Sequence, residues 1–272
     1  MIFHIHRIDK NPGDLWSSPR HYFDFENYAT IDILNKKKLG SIPPGSKCVV
    51  GGGGLIKNTF YASLDILFAK ECHIAFWGIG ERLNQNLKNG WISRKEKTNI
   101  KPSFFDTALH LPSMRSLEPG IEWLPCASCN HPIFNNNFKT KPNGIKILQH
   151  KKVPIPNPNN FPLISNDPLT IEECIDFISS TSILITNSYH AMYWAYLLSV
   201  PTICIPFSSG HYSFCDKMVY CKPGSLQKKI KLIYETDSGR SSDRADQSIE
   251  RITAHRLKSN AFYSKTMSFL MK

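Results

Sequence analysis

Apolar and polar positions alternate most clearly over residues 183–205, where a short apolar run is followed by a polar turn, a helix-length segment and a second apolar run. This order is typical of a parallel β-α-β unit. In such a unit the turn after the first strand faces the crevice where α/β proteins bind ligands. The polar residues of that turn are therefore the first functional candidates: Thr186, Asn187, Ser188 and His190.

The first half of the chain shows the same alternation. Four strand-like runs cover residues 1–8, 47–50, 73–77 and 108–111. Two helices are predicted between them, over residues 22–34 and 59–69. Strands that alternate with helices predict a mostly parallel sheet, in which the polar and glycine-rich turns after the strands share one edge.

The alternation is interrupted between the two halves. Residues 139–160 are rich in Pro, Asn and Lys, which is typical of a connecting segment. We therefore predict a domain boundary near residue 138, with an N-terminal domain over residues 1–138 and a C-terminal domain over residues 139–272.

The second half resumes the pattern with a strand at residues 144–150. A capping box at residues 170–173 opens a helix that ends near residue 179. A further helix is predicted at residues 225–235, then a solvated loop at residues 236–246 and a closing helix. Two small α/β domains that face each other across a cleft fit this order.

Composition narrows the class of protein. The chain has 272 residues, of which 41% are hydrophobic and 20% charged, as in globular proteins. It has no apolar run of about 18 residues, so we predict no transmembrane helix. Its first residues lack the apolar core of a secretory signal, so a cytoplasmic location is expected. Cys48, Cys174 and Cys204 lie in apolar segments, which favours reduced thiols.

The net charge of +11 is concentrated near the end of the chain. Residues 222–272 hold eleven Lys and Arg against five Asp and Glu. This basic tail can approach anionic lipid, nucleic acid or a phosphorylated substrate, or it can be a solvated helix surface. Aromatic residues are not interleaved with the basic ones, so nucleic acid is not the predicted partner.

Two turns of the first half carry candidate anion ligands. Residues 11–19 follow the first strand and contain Asp14, Ser17 and Ser18, with Arg20 next to them; the alternative is an ordinary turn and helix cap. The second turn has four consecutive glycines after a buried strand, which allows a ligand to approach the backbone closely. The predicted contacts in it are Gly52, Gly53 and Gly54.

A third cluster lies at residues 113–131. Arg115 is a candidate anion ligand there, unless it is an ordinary surface arginine. Cys126, Cys129 and His131 offer three soft metal ligands, but a structural zinc site needs a fourth, and no second Cys-x-x-Cys pair exists. We therefore predict no metal site.

The turn of the β-α-β unit is the strongest candidate. Thr186 or Asn187 is expected to cap the helix, whose first N–H groups favour a nearby anion. His190 falls in the first helical turn, where it can face the crevice, donate a proton or bind phosphate. The alternative is a histidine with a purely structural role.

Taken in order, these segments resemble the polysaccharide pyruvyl transferase family. The resemblance covers residues 11–207, about three-quarters of the chain. The matching segments are residues 11–14, 17–19, 22–23, 51–55, 77–80, 115, 123–129, 186–190, 194–195 and 197–198.

The resemblance implies two Rossmann-like domains facing a cleft, similar to GT-B glycosyltransferases. It implies an enzyme that moves pyruvate from phosphoenolpyruvate to a pair of sugar hydroxyls, as a ketal on a polysaccharide or its precursor. His190 is then the expected catalytic acid, and Asp14 is expected to position or deprotonate the acceptor hydroxyl. The expected substrate contacts are Ser17, Ser18, Arg20, Gly52, Gly53, Gly54, Arg115, Asn187, Ser188, Tyr189 and His211.

Where the family often has a lysine after residues 206–209, this chain has Gly210 and His211, and His211 is the candidate replacement. Phosphoenolpyruvate is the donor substrate, and no cofactor is implied. Whether the saccharide acceptor is lipid-linked is left open, as is a peripheral contact of the basic tail with the inner membrane face. Two other hypotheses stand beside this one: a nucleotide-sugar glycosyltransferase of similar architecture, and a zinc-stabilised nucleic-acid-binding protein.

Overall fold

The computed structural model describes residues 1–93, 108–136, 142–167, 169–237 and 244–272. These residues form two five-stranded sheets, and every strand pairing within them is parallel. This mixed α/β architecture is consistent with the predicted Rossmann-like class.

The first sheet has the strand order β2-β1-β3-β4-β5. Its strands are β1 (Ile2–His6), β2 (Tyr28–Asp32), β3 (Lys47–Gly51), β4 (His73–Trp77) and β5 (His110–Leu111). Three helices connect them: α1 (Pro12–Leu15), α2 (Lys36–Gly40) and α3 (Asn58–Phe68). The predicted strands and the helix at residues 59–69 are confirmed, with small shifts of their ends.

The predicted helix at residues 22–34 is wrong. Residues 28–32 form the edge strand β2, which pairs in parallel with β1. Ile31 and Ile33 are buried in the core on one side of this edge, a period of two that a helix does not produce. Tertiary pairing with β1 thus determines this segment.

A short two-stranded sheet, β6 (Ser113–Met114) and β7 (Glu122–Trp123), follows β5. The second large sheet has the order β12-β11-β10-β8-β9. Its strands are β8 (Ile145–Gln149), β9 (Leu163–Ser165), β10 (Ile183–Thr186), β11 (Thr202–Cys204) and β12 (Val219–Tyr220). The helices of this half are α4 (Ile171–Ser179), α5 (Tyr189–Leu197), α6 (Leu226–Asp237) and α7 (Arg244–Leu270).

The second half follows the sequence pattern closely. The capping box is present, because Thr170 Oγ1 accepts from the Glu173 amide at 3.1 Å and Glu173 Oε2 accepts from the Thr170 amide at 2.7 Å. The predicted loop at residues 236–246 is wrong at both ends, since α6 extends to Asp237 and α7 begins at Arg244. Residues 238–243 lie outside the described part of the chain.

The long helix α7 contacts both halves of the molecule. On one side the Tyr193 hydroxyl of α5 and His255 Nδ1 of α7 are 2.9 Å apart. Further along, the Phe262 ring packs edge-on against Trp77 of β4, with 5.1 Å between ring centroids. The end of the chain therefore covers the rear face of the first sheet. The predicted boundary at residue 138 lies outside the described residues.

The interior is apolar on both sheets. Cys48, Cys174 and Cys204 are buried free thiols, as expected from the apolar segments that contain them. Among the described residues, no helix combines the length and the hydrophobicity needed to cross a membrane.

Candidate functional site

The carboxyl ends of strands from both sheets meet around two adjoining cavities. The smaller cavity, here called the inner pocket, has a volume of about 20 Å³ and is lined by Arg115, Ser188, Tyr189, His190 and His211, among others. The larger one, the outer groove, has a volume of about 250 Å³ and is lined by Lys57, Lys151 and Lys152, among others. Four residues line both cavities: Asn11, Asp14, Arg82 and His150.

His190 lies at the contact between the two halves. The Arg115 guanidinium, which can only donate, is 3.1 Å from His190 Nε2, so Nε2 accepts and the neutral ring carries its proton on Nδ1. Nδ1 has no hydrogen-bond partner among the described residues and lies against Gly13, where an added Cβ would be only 2.2 Å away. Burial, together with the charges of Arg115 and Arg82, holds the pKa of His190 well below its ordinary value.

Arg115 is fixed by packing rather than by a carboxylate. Its guanidinium stacks on the Tyr189 ring, 3.8 Å from the centroid, and also lies against Gly80, where a Cβ would be 2.4 Å from Arg115 Nε. The side chain is 4% exposed, and its Nε has no partner among the described residues. Arg115 therefore presents a buried positive charge with unused hydrogen-bonding capacity.

Arg82 is a second cation that the sequence reasoning missed. Its guanidinium carbon is 5.5 Å from the centroid of Phe207, and its stem occupies the space beside Gly54, where a Cβ would be 2.2 Å from Cδ. Within the described chain, neither Arg82 nor Arg115 forms an ion pair with a carboxylate. Two arginines that form no salt bridge with any described residue, next to a buried histidine, form a site suited to an anion, although the charges of Asp14 and Glu81 partly offset that of Arg82.

Asp14 lies where the two cavities join. It belongs to α1, whose N-cap Asn11 accepts from the Gly13 amide at 3.0 Å. The Asn11 side-chain amide donates to Asp14 Oδ2 at 3.3 Å, which orients the carboxylate. Asp14 can therefore accept a proton from a group bound between the pocket and the groove.

His150, also missed, follows β8 at the same junction. Its Nδ1 accepts from the Lys152 amide at 3.2 Å, so the neutral ring carries its proton on Nε2. Burial, with Arg82 as the largest contributing charge, lowers the pKa of His150 to about 3. His150 is thus a neutral hydrogen-bond donor at neutral pH.

Glu81 is the remaining charged residue of the inner pocket that the sequence reasoning missed. Its Oε1 accepts from the Ser209 hydroxyl at 2.7 Å and from the Leu83 amide, whereas Oε2 has no partner within the described residues. Burial raises the pKa of this carboxyl. A common signal marks Glu81, Arg82 and His150, because each follows the carboxyl end of a parallel strand within a few residues.

The turn after β10 is arranged differently from the prediction. Neither Thr186 nor Asn187 caps α5; the N-cap is Ser188, whose hydroxyl accepts from the Ala191 amide at 3.5 Å. The strand extends through Thr186, whose hydroxyl donates to the Leu148 carbonyl at 2.6 Å, so the helix begins later. Ser188 and Tyr189 line the inner pocket as expected.

The side chains of Asn187 and His211 form hydrogen bonds within the protein. The Asn187 side chain accepts from the His150 amide at 2.7 Å and donates to the Val153 carbonyl at 2.8 Å. His211 Nε2 donates to the Asn187 carbonyl at 3.1 Å, and the Ser208 hydroxyl is 2.9 Å from its Nδ1. His211 lines the pocket, but a hydrogen bond to a ligand would require one of these bonds to break.

The glycine-rich turn packs against the turn after β1. A Cβ at Gly52 would be 2.2 Å from Ser17 Oγ, and one at Gly53 would be 3.2 Å from Asp14 Oδ1. Of the three predicted glycine contacts, Gly54 lines the outer groove. Because these glycines have no side chains, Asp14 and Arg82 lie close to the backbone of the glycine-rich turn.

Three predicted contacts lie away from these cavities. Ser17 and Ser18 are fully buried, and the Ser17 hydroxyl donates to the Asp14 carbonyl at 2.8 Å. Arg20 lies near the face of the first sheet that carries His4 and His6, and its charge contributes to lowering the pKa of both histidines. None of these three residues lines the inner pocket or the outer groove.

The residues around Arg20 form what we call the rear cluster: His4, His6, His21 and Arg20. The His6 and His21 ring centroids are 6.2 Å apart, and His4 packs edge-on against Phe25 at 4.4 Å. All four nitrogens of His4 and His6 are buried without partners among the described residues. Burial is the largest cause that lowers the pKa of each of these two histidines to about 3.

The cysteine cluster is bonded within the protein. Cys126 accepts from the Ser128 hydroxyl, Cys129 lies 3.6 Å from the Ser259 hydroxyl, and His131 Nδ1 accepts from the Ile133 amide. In the described part of the chain, no group of three or more His, Cys, Asp or Glu side chains is arranged to hold a metal ion.

Comparisons with protein-family models and with curated proteins give no match. No protein-family model matches the chain, and no curated protein matches it at a significant level.

Proposed function

We propose that this protein is an enzyme that transfers pyruvate from phosphoenolpyruvate to two hydroxyls of a saccharide as a ketal, as the resemblance to polysaccharide pyruvyl transferases implies. The observation that carries the proposal is the inner pocket, where His190 lies beside two arginines that form no salt bridge among the described residues. Phosphoenolpyruvate bears a carboxylate and a phosphate, so it matches this pair of charges. The inner pocket alone, at about 20 Å³, has room for little more than a water molecule, so the donor also occupies the adjoining part of the outer groove beside Arg82 and Asp14.

The same proposal places the two sheets in two domains that face a cleft, as in GT-B enzymes. It is supported by the contact between the turn after β1 and the turn after β10, where Gly13 lies against His190. In this arrangement the donor lies between the two halves, and Asp14 faces it from the first half.

The chemistry begins with proton transfer to the donor. When the donor binds, the Arg115 guanidinium turns from His190 Nε2 to the anionic groups of the donor, and the freed Nε2 takes up a proton. His190 donates that proton to the methylene carbon, which becomes a methyl group and leaves positive charge on the adjacent carbon. A sugar hydroxyl attacks that carbon and gives its proton to Asp14. The carbon–oxygen bond to phosphate then breaks, phosphate leaves with its electron pair, and the second hydroxyl closes the ketal. The two hydroxyl protons balance the proton added to the methyl group and the proton that leaves with phosphate.

The protonation state of His190 depends on the donor. In the empty pocket its pKa is held low by burial and by the two arginines, so the ring is neutral at pH 7. A donor with two anionic groups offsets the charges of Arg115 and Arg82, which raises the pKa and lets the ring become a cationic acid. The pocket thus acquires its acid when the donor binds.

Calorimetry tests this coupling. Phosphoenolpyruvate titrated at pH 7 in buffers of different ionisation enthalpy should take up close to one more proton per site with the wild-type protein than with His190→Asn. Equal proton uptake by the two proteins would remove His190 from the acid role.

The proposed activity is tested by mass spectrometry of candidate glycans incubated with phosphoenolpyruvate, in which the added pyruvate ketal is sought.

A thermal-shift comparison distinguishes the proposed function from its main alternative, a nucleotide-sugar glycosyltransferase. Phosphoenolpyruvate should raise the melting temperature. Stabilisation by nucleotide sugars alone would favour the glycosyltransferase hypothesis, which the basic outer groove also supports. The cytoplasmic location and the contact of the basic tail with a membrane stay predictions.

A further inference from the structure

The outer groove contains more positive charge than the donor requires. Arg7 pairs with Asp32 and lies 3.4 Å from Asp9, and Lys151 bonds to Asp9 and Asp167, each at 3.0 Å. Both cations are thus neutralised by carboxylates, and the pair of Lys151 with Asp9 links the two halves of the molecule.

Lys57 and Lys152 are not neutralised in this way. Within the described residues neither forms an ion pair, and Lys57 Nζ lies 6.0 Å from the centroid of the Phe60 ring. Burial and the charges of Arg82 and Lys152 lower the pKa of Lys57, and the charge of Asp14 opposes them only in part. Like charges gathered in a half-buried groove repel each other, and a bound anion would relieve that repulsion.

The backbone adds to this preference. Lys57 is the N-cap of α3, an 11-residue helix, and it provides no side-chain cap. The first turn of α3 lines the groove through Thr59 and Phe60, so the positive end of the helix dipole lies at the same place as the two lysines.

The order of charged groups along the two cavities indicates how an acceptor would lie. Arg115 and His190 lie in the inner pocket, Asp14 at the junction, and Lys57 and Lys152 in the outer groove. A saccharide whose hydroxyls reach Asp14 therefore extends the rest of its structure toward the two lysines.

We infer that the outer groove binds the acceptor through a phosphate ester, so that the acceptor is a phosphorylated saccharide whose phosphate lies between Lys57, Lys152 and the start of α3. The identification of this ligand as the acceptor rests on the proposed function. The presence of a second anion site, separate from the donor pocket, does not.

Isothermal titration calorimetry tests the site with inorganic pyrophosphate and glucose 1-phosphate, each with and without saturating phosphoenolpyruvate. Both probes should bind in the presence of phosphoenolpyruvate, and glucose should not bind detectably. Lys57→Ala and Lys152→Ala should each weaken probe binding about 10-fold, because a charge-assisted hydrogen bond is lost. Lys229→Ala, which removes one charge from α6, is the matched control and should leave binding unchanged.

The lysine variants should bind phosphoenolpyruvate as the wild type does, whereas Arg115→Gln should weaken phosphoenolpyruvate binding about 10- to 100-fold and leave pyrophosphate binding unchanged. Competition between the two anions for one site, or pyrophosphate binding unaffected by both lysine variants, would overturn the inference. A failure of phosphoenolpyruvate to bind, with lysine-dependent pyrophosphate binding retained, would instead defeat only the proposed function.

The source of the phosphate is distinguished by two further probes, UDP-glucose and farnesyl diphosphate. Lysine-dependent binding of the first supports a nucleotide-linked acceptor, and lysine-dependent binding of the second supports a lipid-linked one. Lysine-dependent binding of glucose 1-phosphate with binding of neither of these probes would support a simple sugar phosphate as the acceptor, whereas binding of none of the three would contradict the inference.

Discussion

The inner pocket and the rear cluster both contain buried histidines next to arginine, yet their surroundings differ. In the pocket, His190 accepts a hydrogen bond from Arg115 and lines a cavity that continues into an open groove. In the rear cluster, both nitrogens of His4 and of His6 lack partners among the described residues, and aromatic rings pack against them. Lowered pKa values occur in both places, so the lowered pKa alone does not distinguish a site.

The difference lies in what can reach the histidine. A cavity bordered by unpaired cations supplies both access and a reason for an anion to bind, whereas an enclosed histidine only costs stability. Substitutions in the pocket should therefore affect the reaction, whereas substitutions in the rear cluster should affect stability.

The largest expected effect is on turnover. His190→Ala should reduce the rate of pyruvate transfer by about 10²- to 10⁴-fold, because the general acid is lost. His6→Leu, in the rear cluster, should leave the rate per folded molecule within a few-fold of wild type. Circular dichroism establishes the folded fraction of each variant. Equal losses of turnover in the two variants would mean that the two regions do not differ in function.

The two arginines predicted from the sequence provide the next test. Arg115→Gln should weaken phosphoenolpyruvate binding about 10- to 100-fold, because a buried charge-assisted contact worth about 1.5–3 kcal/mol is removed. Arg20→Gln should leave binding unchanged, because Arg20 lies at the rear of β1. Fluorescence or calorimetric titration measures both constants. A larger effect of Arg20 than of Arg115 would reverse the assignment of the donor site.

A glycine substitution tests the contact between the two halves. Gly13→Ala places a Cβ within 2.2 Å of His190 Nδ1, so the ring or the turn must shift. We expect turnover to fall about 10²-fold, as misplacement of a catalytic group by about 1 Å costs this much. Gly40→Ala, where nothing lies within 4 Å of the added Cβ, should behave as wild type. A fully active Gly13→Ala protein would show that this contact is not needed.

The histidines of the rear cluster should make the free energy of unfolding decrease at acid pH. His4 and His6 have folded-state pKa values of about 3, below the ordinary 6.5 of the unfolded chain. Between these values the unfolded state binds more protons, so stability is present above pH 6.5 and falls as the pH decreases. At pH 5 each histidine should cost about 2 kcal/mol.

Urea unfolding at pH 7 and pH 5 measures this loss. The His4→Leu and His6→Leu variants should each lose about 2 kcal/mol less than the wild type on acidification, because the group that must be protonated is absent. An unchanged pH dependence in both variants would show that these histidines are already paired or protonated in the folded protein.

The sequence predicted most of the elements because their patterns are local. The run Ile183–Thr186, the helix after it and the capping box at Thr170 depend on neighbours within a few residues. The strand at residues 28–32 was missed because its pairing with β1, rather than its own pattern, determines its conformation. The cap of α5 was missed because Thr186 and Asn187 bond to the β8 strand and the loop after it.

The site was predicted only in part for the same reason. His190, Asp14 and Arg115 stood out as polar residues in turns, and the structure brings all three to the inner pocket. Arg82 and His150 did not stand out, because a single basic residue after a strand is common. Ser17, Ser18 and Arg20 resembled site residues in the turn, but the structure places them away from both cavities.

The alternation of strands and helices, the parallel sheets and the turns in which polar residues follow buried strands can be read from the sequence. Those features follow from hydrophobic periodicity and capping, which act over a few residues. Which turns meet depends on the tertiary fold, because sheet order and the packing of the two halves bring Gly13 beside His190 and Arg82 beside His150. This packing joins residues that are far apart in the chain into one site. Patterns that extend over a few residues do not specify such long-range contacts.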